Sequence, residues 1–315
     1  MSETPNNKMI KREKWNKTHV QLMVMASVSV VFLFVFAYIP MMGVMLAFKD
    51  ADKAINIFKS LFLSQWTLDN FATLFSDDTF WRVFENTLYI NVLLLIFTFP
   101  TPIIFALLMN EVKSLRIKKG IQTVVNFPHL ISWVIFGGII LTITDPKMNV
   151  IHPILEFLRI STKENPINLN LAQYFYPKLI IATIIKSTGW GSIIYMAAIY
   201  GIDPSLYEAA VIDGAGRWSR MWRITLPLIK PTIIIFLLLN ISNLLNNSFE
   251  QFYVFQTTQN LDTTRVLATY IYTQGFRYRN YSTATALSLF EGIISVILLL
   301  SGNFFSKKIT GEGIF

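Results

Sequence analysis

The sequence contains no cysteine and only three histidines, His19, His129 and His152. The lack of cysteine excludes a disulfide framework, a thiolate nucleophile and a cysteine-ligated metal. The histidines lie far apart in the chain, so a histidine-ligated metal site is also disfavoured. We therefore predict that this chain has no catalytic residue and no metal site.

Charged residues are also scarce. They make up 15% of the sequence, against about 25% in soluble domains, while hydrophobic residues make up 53% and the mean hydropathy is +0.48. This composition is typical of a polytopic membrane protein, and six apolar runs approach the roughly 20 residues that a helix needs to cross a bilayer. We predict an all-α membrane protein with six transmembrane helices, at about 21–47, 86–110, 123–144, 177–200, 229–249 and 283–305.

Basic residues are distributed unevenly between the two sides of the predicted bundle. With residue 1 inside, the inside segments hold fifteen Lys and Arg against seven Asp and Glu, and the outside loops hold eleven of each. The net charge of +8 then lies on the cytoplasmic side, as the positive-inside rule requires, so the pI of 9.5 reflects topology and not a nucleic-acid partner. We predict a cytoplasmic tail at 1–18, a membrane domain at 19–308 and a second cytoplasmic tail at 309–315.

A phosphate-binding loop is missing as well. The pattern G-x-x-x-x-G-K-[ST], whose backbone amides cradle nucleotide phosphates, occurs nowhere in the sequence. We therefore expect this chain to bind no nucleotide and no other cofactor by itself.

A charged segment at 201–228 interrupts the apolar pattern between the fourth and fifth predicted spans. Its acids and arginines cannot lie in hydrocarbon, where each charge costs roughly 3 kcal/mol or more, so the segment is a cytoplasmic loop. Asp203 and Pro204 are typical of a helix start, and Gly214 and Gly216 permit a turn with positive φ or a close backbone approach. The pattern predicts a helix, a glycine turn and a second helix, which by itself is also typical of an amphipathic interfacial hairpin.

The same segment resembles the EAA loop of permease subunits of binding-protein-dependent ABC importers. That loop reads Glu-Ala-Ala, three residues, Gly, nine residues, Ile, one residue and Leu-Pro. The chain matches it at Glu208, Ala209, Ala210, Gly214, Ile224, Leu226 and Pro227. Within the sugar-importer branch the chain is similar to permeases for complex oligosaccharides, such as alginate or rhamnogalacturonan fragments. This similarity is carried by Asn126–Trp133, Gly189–Ser192, Tyr207–Gly216 and Tyr272–Gly275.

The resemblance implies a role for the loop and a set of partners. In that family the EAA helix is the coupling helix that docks into a groove on the ATPase, which assigns residues 204–215 to coupling. The implied coupling residues are Tyr207, Glu208, Ala209, Ala210, Asp213, Gly214, Ala215 and Gly216. The implied partners are two ATP-binding subunits, a second homologous permease in a heteromeric pair, an extracellular solute-binding protein and an oligosaccharide substrate, at a bacterial cytoplasmic membrane.

The fifth predicted span carries an amide face, because Asn240, Asn243 and Asn247 recur at intervals of three and four residues. Unsatisfied amides cost several kcal/mol each in lipid, so this face either lines the solute path or makes helix–helix hydrogen bonds. Trp190 and Tyr195 of the fourth span are candidates for stacking on sugar rings, with core packing as the alternative.

Two charges lie inside predicted spans, Lys186 in the fourth and Glu291 in the sixth. An ionisable residue in a membrane is a candidate functional residue by default. Either the two residues form a pair, or Glu291 faces a wet cavity of the solute path while Lys186 extends to an interface.

Three other functions agree with parts of the sequence. A secondary carrier that needs no ATPase would be expected to contain inverted repeats, which the sequence lacks, and it would leave the EAA loop unexplained. An ABC permease for a solute other than sugar shares the EAA loop, and the sequence does not exclude it. An intramembrane hydrolase built on Ser192 lacks a histidine at a suitable position. We therefore predict a transport subunit that is not itself an enzyme.

Overall fold

The computed structural model describes residues 16–51, 56–148, 150–162, 167–246, 248–257, 260–311 and 313. Over these ranges the chain is largely helical, with no β-strand and a single isolated bridge between Lys49 and Trp66. The predicted all-α class is therefore confirmed. Most of the predicted tail at 1–18 and part of that at 309–315 lie outside the described residues.

The helices are numbered in chain order. They are α1 Lys17–Phe48, α2 Ile57–Leu63, α3 Asp69–Ser76, α4 Asp78–Asn110, α5 Leu115–Leu130, α6 Trp133–Thr144, α7 His152–Phe157, α8 Ala172–Tyr200, α9 Pro204–Ile212, α10 Arg217–Leu228, α11 Lys230–Ser242, α12 Phe249–Tyr253, α13 Leu261–Thr264, α14 Leu267–Tyr272 and α15 Tyr281–Thr310. Helix α1 ends in a 3-10 turn at Met42–Phe48, and a π-helical turn at Thr273–Arg277 follows α14.

Four of these helices, α1, α4, α8 and α15, are long and apolar enough to cross a membrane. Two bent pairs are long and apolar enough when taken together, α5 with α6 at 100° and α10 with α11 at 60°. The described residues therefore hold four candidate spans, or six when each bent pair counts as one. The predicted number of spans is confirmed to that extent.

Helix α8 lies at the centre of the packing and contributes to two buried clusters. Near its start, Phe175 and Leu179 pack against side chains of α4, α6 and α12 in what is called the α12 cluster. Near its end, Met196 and Ile199 pack against side chains of α4 and α10 in the α10 cluster. A third group, the α15 cluster, joins α3, α4, α14 and α15.

The third predicted span, at 123–144, is wrong as a single straight helix. Helix α5 already begins at Leu115, because the side chain of Ser114 caps its first turn. Two residues separate its end from α6, and Ser132 caps the start of α6 by accepting a hydrogen bond from the Ile135 backbone N–H (3.3 Å). Serine favours a helix start at each position, so the chain restarts its helix in a new direction.

The fifth predicted span, at 229–249, is too long. Helix α11 ends at Ser242, and the chain leaves the helix from Asn243 to Asn246. Leu245, within this stretch, is completely buried in the α15 cluster. Burial of a leucine side chain contributes roughly 1.5–3 kcal/mol, which helps to offset the helical hydrogen bonds that the turn gives up.

Helix α1 stands apart from this packing. The side chains from Lys17 to Met42 are all exposed, and most of them are apolar. Only its end is fixed: Ala47 is buried, and the Asn70 side-chain amide of α3 donates to the carbonyl oxygens of Ala47 (3.0 Å) and Lys49 (2.9 Å). A helix that is apolar on every side is typical of a membrane span.

Gly189 brings α8 into backbone contact with α5. A Cβ atom at this position would lie 2.5 Å from the Val125 carbonyl oxygen and 2.9 Å from the Asn126 backbone nitrogen. Neither atom belongs to a flexible side chain, so only glycine allows this approach. A Cβ atom at Gly191 would lie 3.0 Å from Pro102 of α4, so close helix packing accounts for both glycines.

We expect Gly189→Ala to destabilise the protein, because the added methyl group must push α5 and α8 apart. Overpacking of this kind costs roughly 1–3 kcal/mol, and a lower thermal midpoint of the purified protein in detergent measures it. Gly120→Ala of α5 is the matched control, since its Cβ position meets no described atom outside its own helix within 4 Å and alanine is the better helix former. Equal midpoints for the two variants would contradict the backbone contact.

Candidate coupling surface and solute path

Helix α9 begins the charged loop as the sequence predicts. The Asp203 carboxylate accepts a hydrogen bond from the Ser205 backbone N–H (2.9 Å), and Pro204 occupies the first turn of the helix. This hydrogen bond holds the pKa of the Asp203 carboxyl below its usual range, because it stabilises the ionised form. Local hydrogen bonds therefore fix the start of the loop.

A glycine turn closes the end of α9. The Ala215 backbone N–H donates to the Ala210 carbonyl oxygen (2.8 Å) and the Gly214 N–H to that of Val211 (3.0 Å), which is the pattern of a Schellman motif. Gly214 has φ +77°, so the predicted positive φ is confirmed there. Gly216 has φ −65° and ordinary extended backbone at the start of α10, so the turn does not require glycine at that position.

The two helices of the loop are joined to each other and to the membrane domain. The Tyr207 hydroxyl lies 2.9 Å from the hydroxyl of Thr225, which is buried. Met221 of α10 belongs to the α10 cluster, together with the end of α8. Arg217 and Glu111 form an ion pair (3.9 Å, Nε to Oε2) beside the end of α4. Contacts, and not chain connectivity alone, therefore attach α9 to α10, and α10 to α8 and the end of α4.

The surface of α9 combines an apolar tip with acidic neighbours. Ile212 is 86% exposed and Val211 is 55% exposed, and Glu208 and Asp213 are exposed beside them. Of the other predicted coupling residues, the exposed ones are Ala209, Gly214 and Gly216, and the half-buried ones are Tyr207, Ala210 and Ala215. Within the predicted coupling segment 204–215 the sequence analysis did not single out Ile212, although a large apolar residue at the end of a short helix flanked by acids is a signal for a contact surface.

Lys186 fills the break between α5 and α6. Its side chain is buried, and its ammonium group donates to the carbonyl oxygens of Pro128 (3.0 Å), His129 (3.4 Å) and Ile131. The end of α5 leaves such carbonyl groups without helical partners, so Lys186 replaces the N–H groups of a continuous helix. Pairing with Glu291 is wrong, because within the described ranges the two residues form no ion pair and Glu291 lies half-buried on α15.

The predicted amide face does not extend along one helix. Asn240 lies on α11, Asn243 lies just past its end, and Asn247 lies outside the described residues. Both described side chains are exposed. Each donates to a carbonyl oxygen of its own helix, Asn240 to that of Phe236 (2.7 Å) and Asn243 to that of Leu239 (2.8 Å). These two hydrogen bonds therefore lie within α11 and do not join it to a neighbouring helix.

The two candidate stacking residues of α8 have different surroundings. Trp190 is 54% exposed, and His129 stacks in parallel on its ring (4.7 Å between centroids). Tyr195 is buried in the α10 cluster, edge-on to Phe236 (6.0 Å). The prediction that Tyr195 stacks on sugar rings is therefore wrong, because its ring faces are covered by core packing.

The sequence matches a known family of transport proteins. A family model described as binding-protein-dependent transport system inner membrane component matches residues 102–310, which is more than half of the chain. The chain belongs to this family. The permease is 38% identical over 307 residues to Protein LplB of Bacillus subtilis (strain 168), covering 97% of this chain and 92% of LplB.

A second relative and a solved structure give the same assignment. The permease is 37% identical over 287 residues to the polygalacturonan/rhamnogalacturonan transport system permease protein YteP of Bacillus subtilis (strain 168), covering 90% of this chain and 87% of YteP. The crystal structure of a bacterial alginate ABC transporter in complex with an alginate pentasaccharide-bound periplasmic protein contains a chain that is 35% identical. The two chains superpose with a TM-score of 0.81, and the alignment covers 95% of this chain and 98% of that chain. The fold is therefore that of an ABC importer permease.

We expect Gly214→Ser to weaken the turn after α9, since a residue with a Cβ atom in left-handed backbone costs roughly 1–2 kcal/mol. Gly216→Ser is the matched control, because serine is favoured at the helix start that Gly216 occupies. Limited proteolysis between α9 and α10 of the purified permease measures the local turn. The same cleavage rate for both variants would show that the turn does not depend on glycine at 214.

We expect Lys186→Met to destabilise the bent pair of α5 and α6, because it keeps an apolar stem but leaves carbonyl oxygens at the break without their donor. Each buried group left unsatisfied costs roughly 1–3 kcal/mol. Lys186→Arg supplies donors again and should retain more of the stability. The measurement is the thermal midpoint of each variant, and identical midpoints for the Met and Arg variants would contradict a stabilising role of these hydrogen bonds.

Proposed function

We propose that this permease is one of two homologous membrane subunits of an oligosaccharide importer, and that the two differ in sequence. An extracellular solute-binding protein delivers the sugar, and two separate ATP-binding subunits drive its transport. In this proposal the chain crosses a bacterial cytoplasmic membrane six times, with α5 and α6 together forming the third span, α11 and the residues after it forming the fifth, and both termini in the cytoplasm. Residues 201–228 then face the ATP-binding subunits.

The observation that carries the proposal is the surface of α9. Ile212 and Val211 are exposed at the end of the short helix α9, where the fold itself gains nothing from their apolar side chains. Burial of one such side chain in a groove of a partner is worth roughly 1.5–3 kcal/mol. The exposed carboxylates of Glu208 and Asp213 beside this apolar tip can orient the partner through charge.

The energy for transport must reach the permease from another chain. The sequence has no phosphate loop, and we propose that the permease binds neither nucleotide nor other cofactor. A ligand or partner moves a two-state protein only when it binds the two states with different affinity. The contacts of Tyr207 with Thr225 and of Met221 with the α10 cluster give a physical route from a docked ATPase to α8.

The substrate class rests on the relatives and on the chemistry of the exposed side chains. The name of YteP specifies polygalacturonan and rhamnogalacturonan, and the structural relative transports alginate. We propose that Trp190, Asn240, Asn243 and Glu291 line the path between the two permeases. Amide side chains suit sugars because they offer both donors and an acceptor to hydroxyl groups.

Reconstitution in lipid vesicles tests the function. We expect ATP-dependent uptake of labelled oligogalacturonides or alginate oligosaccharides only when both permeases, the ATP-binding subunits and the loaded binding protein are present. The chain alone should give no saturable uptake under a proton or sodium gradient. Gradient-driven uptake by the chain alone would instead favour a secondary carrier.

In the same system, Ile212→Asp should weaken binding of the ATP-binding subunits roughly tenfold or more, as expected from the loss of one buried apolar side chain. Glu208→Ala should lower uptake for each ATP hydrolysed. Ile160→Asp is the matched control, because Ile160 is also exposed (56%) but lies in the loop between α7 and α8. Wild-type co-purification of the ATP-binding subunits with Ile212→Asp would contradict docking through α9.

A further inference from the structure

Four aromatic rings form a continuous group between α12 and the turn after α14. Phe249 and Tyr253, one helical turn apart on α12, stack at 4.8 Å between ring centroids. Tyr272, at the end of α14, lies 4.5 Å from Phe249 and 5.8 Å from Tyr253. Phe276 extends the group from Tyr272 at 5.4 Å, with ring planes 26° apart. These four side chains are called the aromatic run.

The aromatic run is open to its surroundings. Tyr253 is 53% exposed, Tyr272 is 38% exposed and Phe276 is 78% exposed. In another group of touching rings, around Phe80 and Phe290, the central ring of Phe80 is completely buried. The aromatic run therefore keeps ring surface available for a ligand instead of filling the core.

The run follows a stretch of non-helical backbone in the fifth predicted span. Helix α11 extends from Lys230 to Ser242, so at 1.5 Å per residue it covers only about 20 Å of the roughly 30 Å hydrocarbon layer. The non-helical backbone from Asn243 to Asn246 follows at that depth. Irregular backbone at membrane depth is tolerated only inside protein or beside a water-filled space.

Glu250 places a charge beside the first ring of the run. It is exposed, and the next side chain, that of Gln251, donates to the hydroxyl oxygen of Thr183 (2.9 Å), which lies near the middle of α8. A charge at this depth costs roughly 3 kcal/mol in lipid, and the buried centres of protein interfaces are depleted of charge. These costs make it unfavourable for lipid tails or a packed protein subunit to cover the run beside Glu250. A polar ligand with apolar faces suits both the rings and the carboxylate.

We propose that the aromatic run is a stacking track for sugar rings along the solute path, which rests on the oligosaccharide function proposed above. The faces of a pyranose present C–H groups, whose partial positive charge is attracted to the negative face of an aromatic ring. The hydroxyl groups of Tyr253 and Tyr272 and the carboxylate of Glu250 supply hydrogen-bonding partners for sugar hydroxyls. The rings pack partly on one another, so a sugar ring contacts the surface left exposed at the ends of the run, on Tyr253 and Phe276.

The test uses the complete importer in vesicles, with oligogalacturonides and alginate oligosaccharides of two to five units as probes. Tyr253→Leu, Tyr272→Leu and Phe276→Leu should each reduce the uptake rate roughly three- to tenfold at limiting loaded binding protein, as expected for loss of one aromatic contact. Tyr253→Phe and Tyr272→Phe keep the ring and should recover most of the lost rate. Phe305→Leu is the matched control, since Phe305 is equally exposed (60%) but lies on α15 away from the run.

Each alternative gives a different result. If the Leu variants lose a permease or ATP-binding subunit on purification, the run is a subunit interface and the stacking track is refuted. If the assembled Leu variants import every probe at the wild-type rate, only the stacking track fails. If the wild-type importer takes up none of the probes while its loaded binding protein still stimulates ATP hydrolysis, the oligosaccharide function fails, and the stacking track fails with it.

Discussion

Backbone carbonyl groups at membrane depth have no water to bind, and the architecture of this permease depends on how the protein satisfies them. Helices satisfy most of these groups, and a break in a helix leaves some of them without a helical partner. At the break between α5 and α6 the ammonium group of Lys186 binds three carbonyl oxygens. This polar side chain allows the chain to turn where hydrophobicity alone would extend a helix.

Helix α8 contacts both regions to which the proposed function assigns a role. Its end packs in the α10 cluster with Met221, close to the contact between Tyr207 and Thr225. Its middle holds Lys186 at the break of α5, and its start packs in the α12 cluster with Phe252, beside the aromatic run. One helix therefore contacts the base of the charged loop at 201–228, a helix break and the proposed stacking track.

Local signals in the sequence predicted more than long-range ones. Asp203 and Gly214 act on backbone groups within a few residues, so their helix start and positive-φ turn could be predicted and are confirmed. Lys186 binds carbonyl groups more than fifty residues away, and no sequence pattern connects them. Both Trp190 and Tyr195 lie on an apolar helix without a polar face, so the sequence could not indicate which of them is exposed.

The structure shows the backbone geometry around Glu208 and Ala210, whereas their role toward an ATPase is a prediction from the family resemblance. The sequence analysis did not single out Ile212, because the family motif specifies other positions of the loop. Exposure, which only the fold reveals, places this side chain at the tip of the loop.

The backbone contact at Gly189 makes α5 and α8 a stiff unit. Helices normally meet through a layer of side chains, and these can change rotamer and absorb a small displacement before the neighbouring helix moves. At Gly189 the Val125 carbonyl group lies directly against the backbone of α8, so no such layer is present. A shift of α8 at this level therefore moves α5 by the same amount. The break at Ile131 is then the first place beyond α5 where the chain can bend in response.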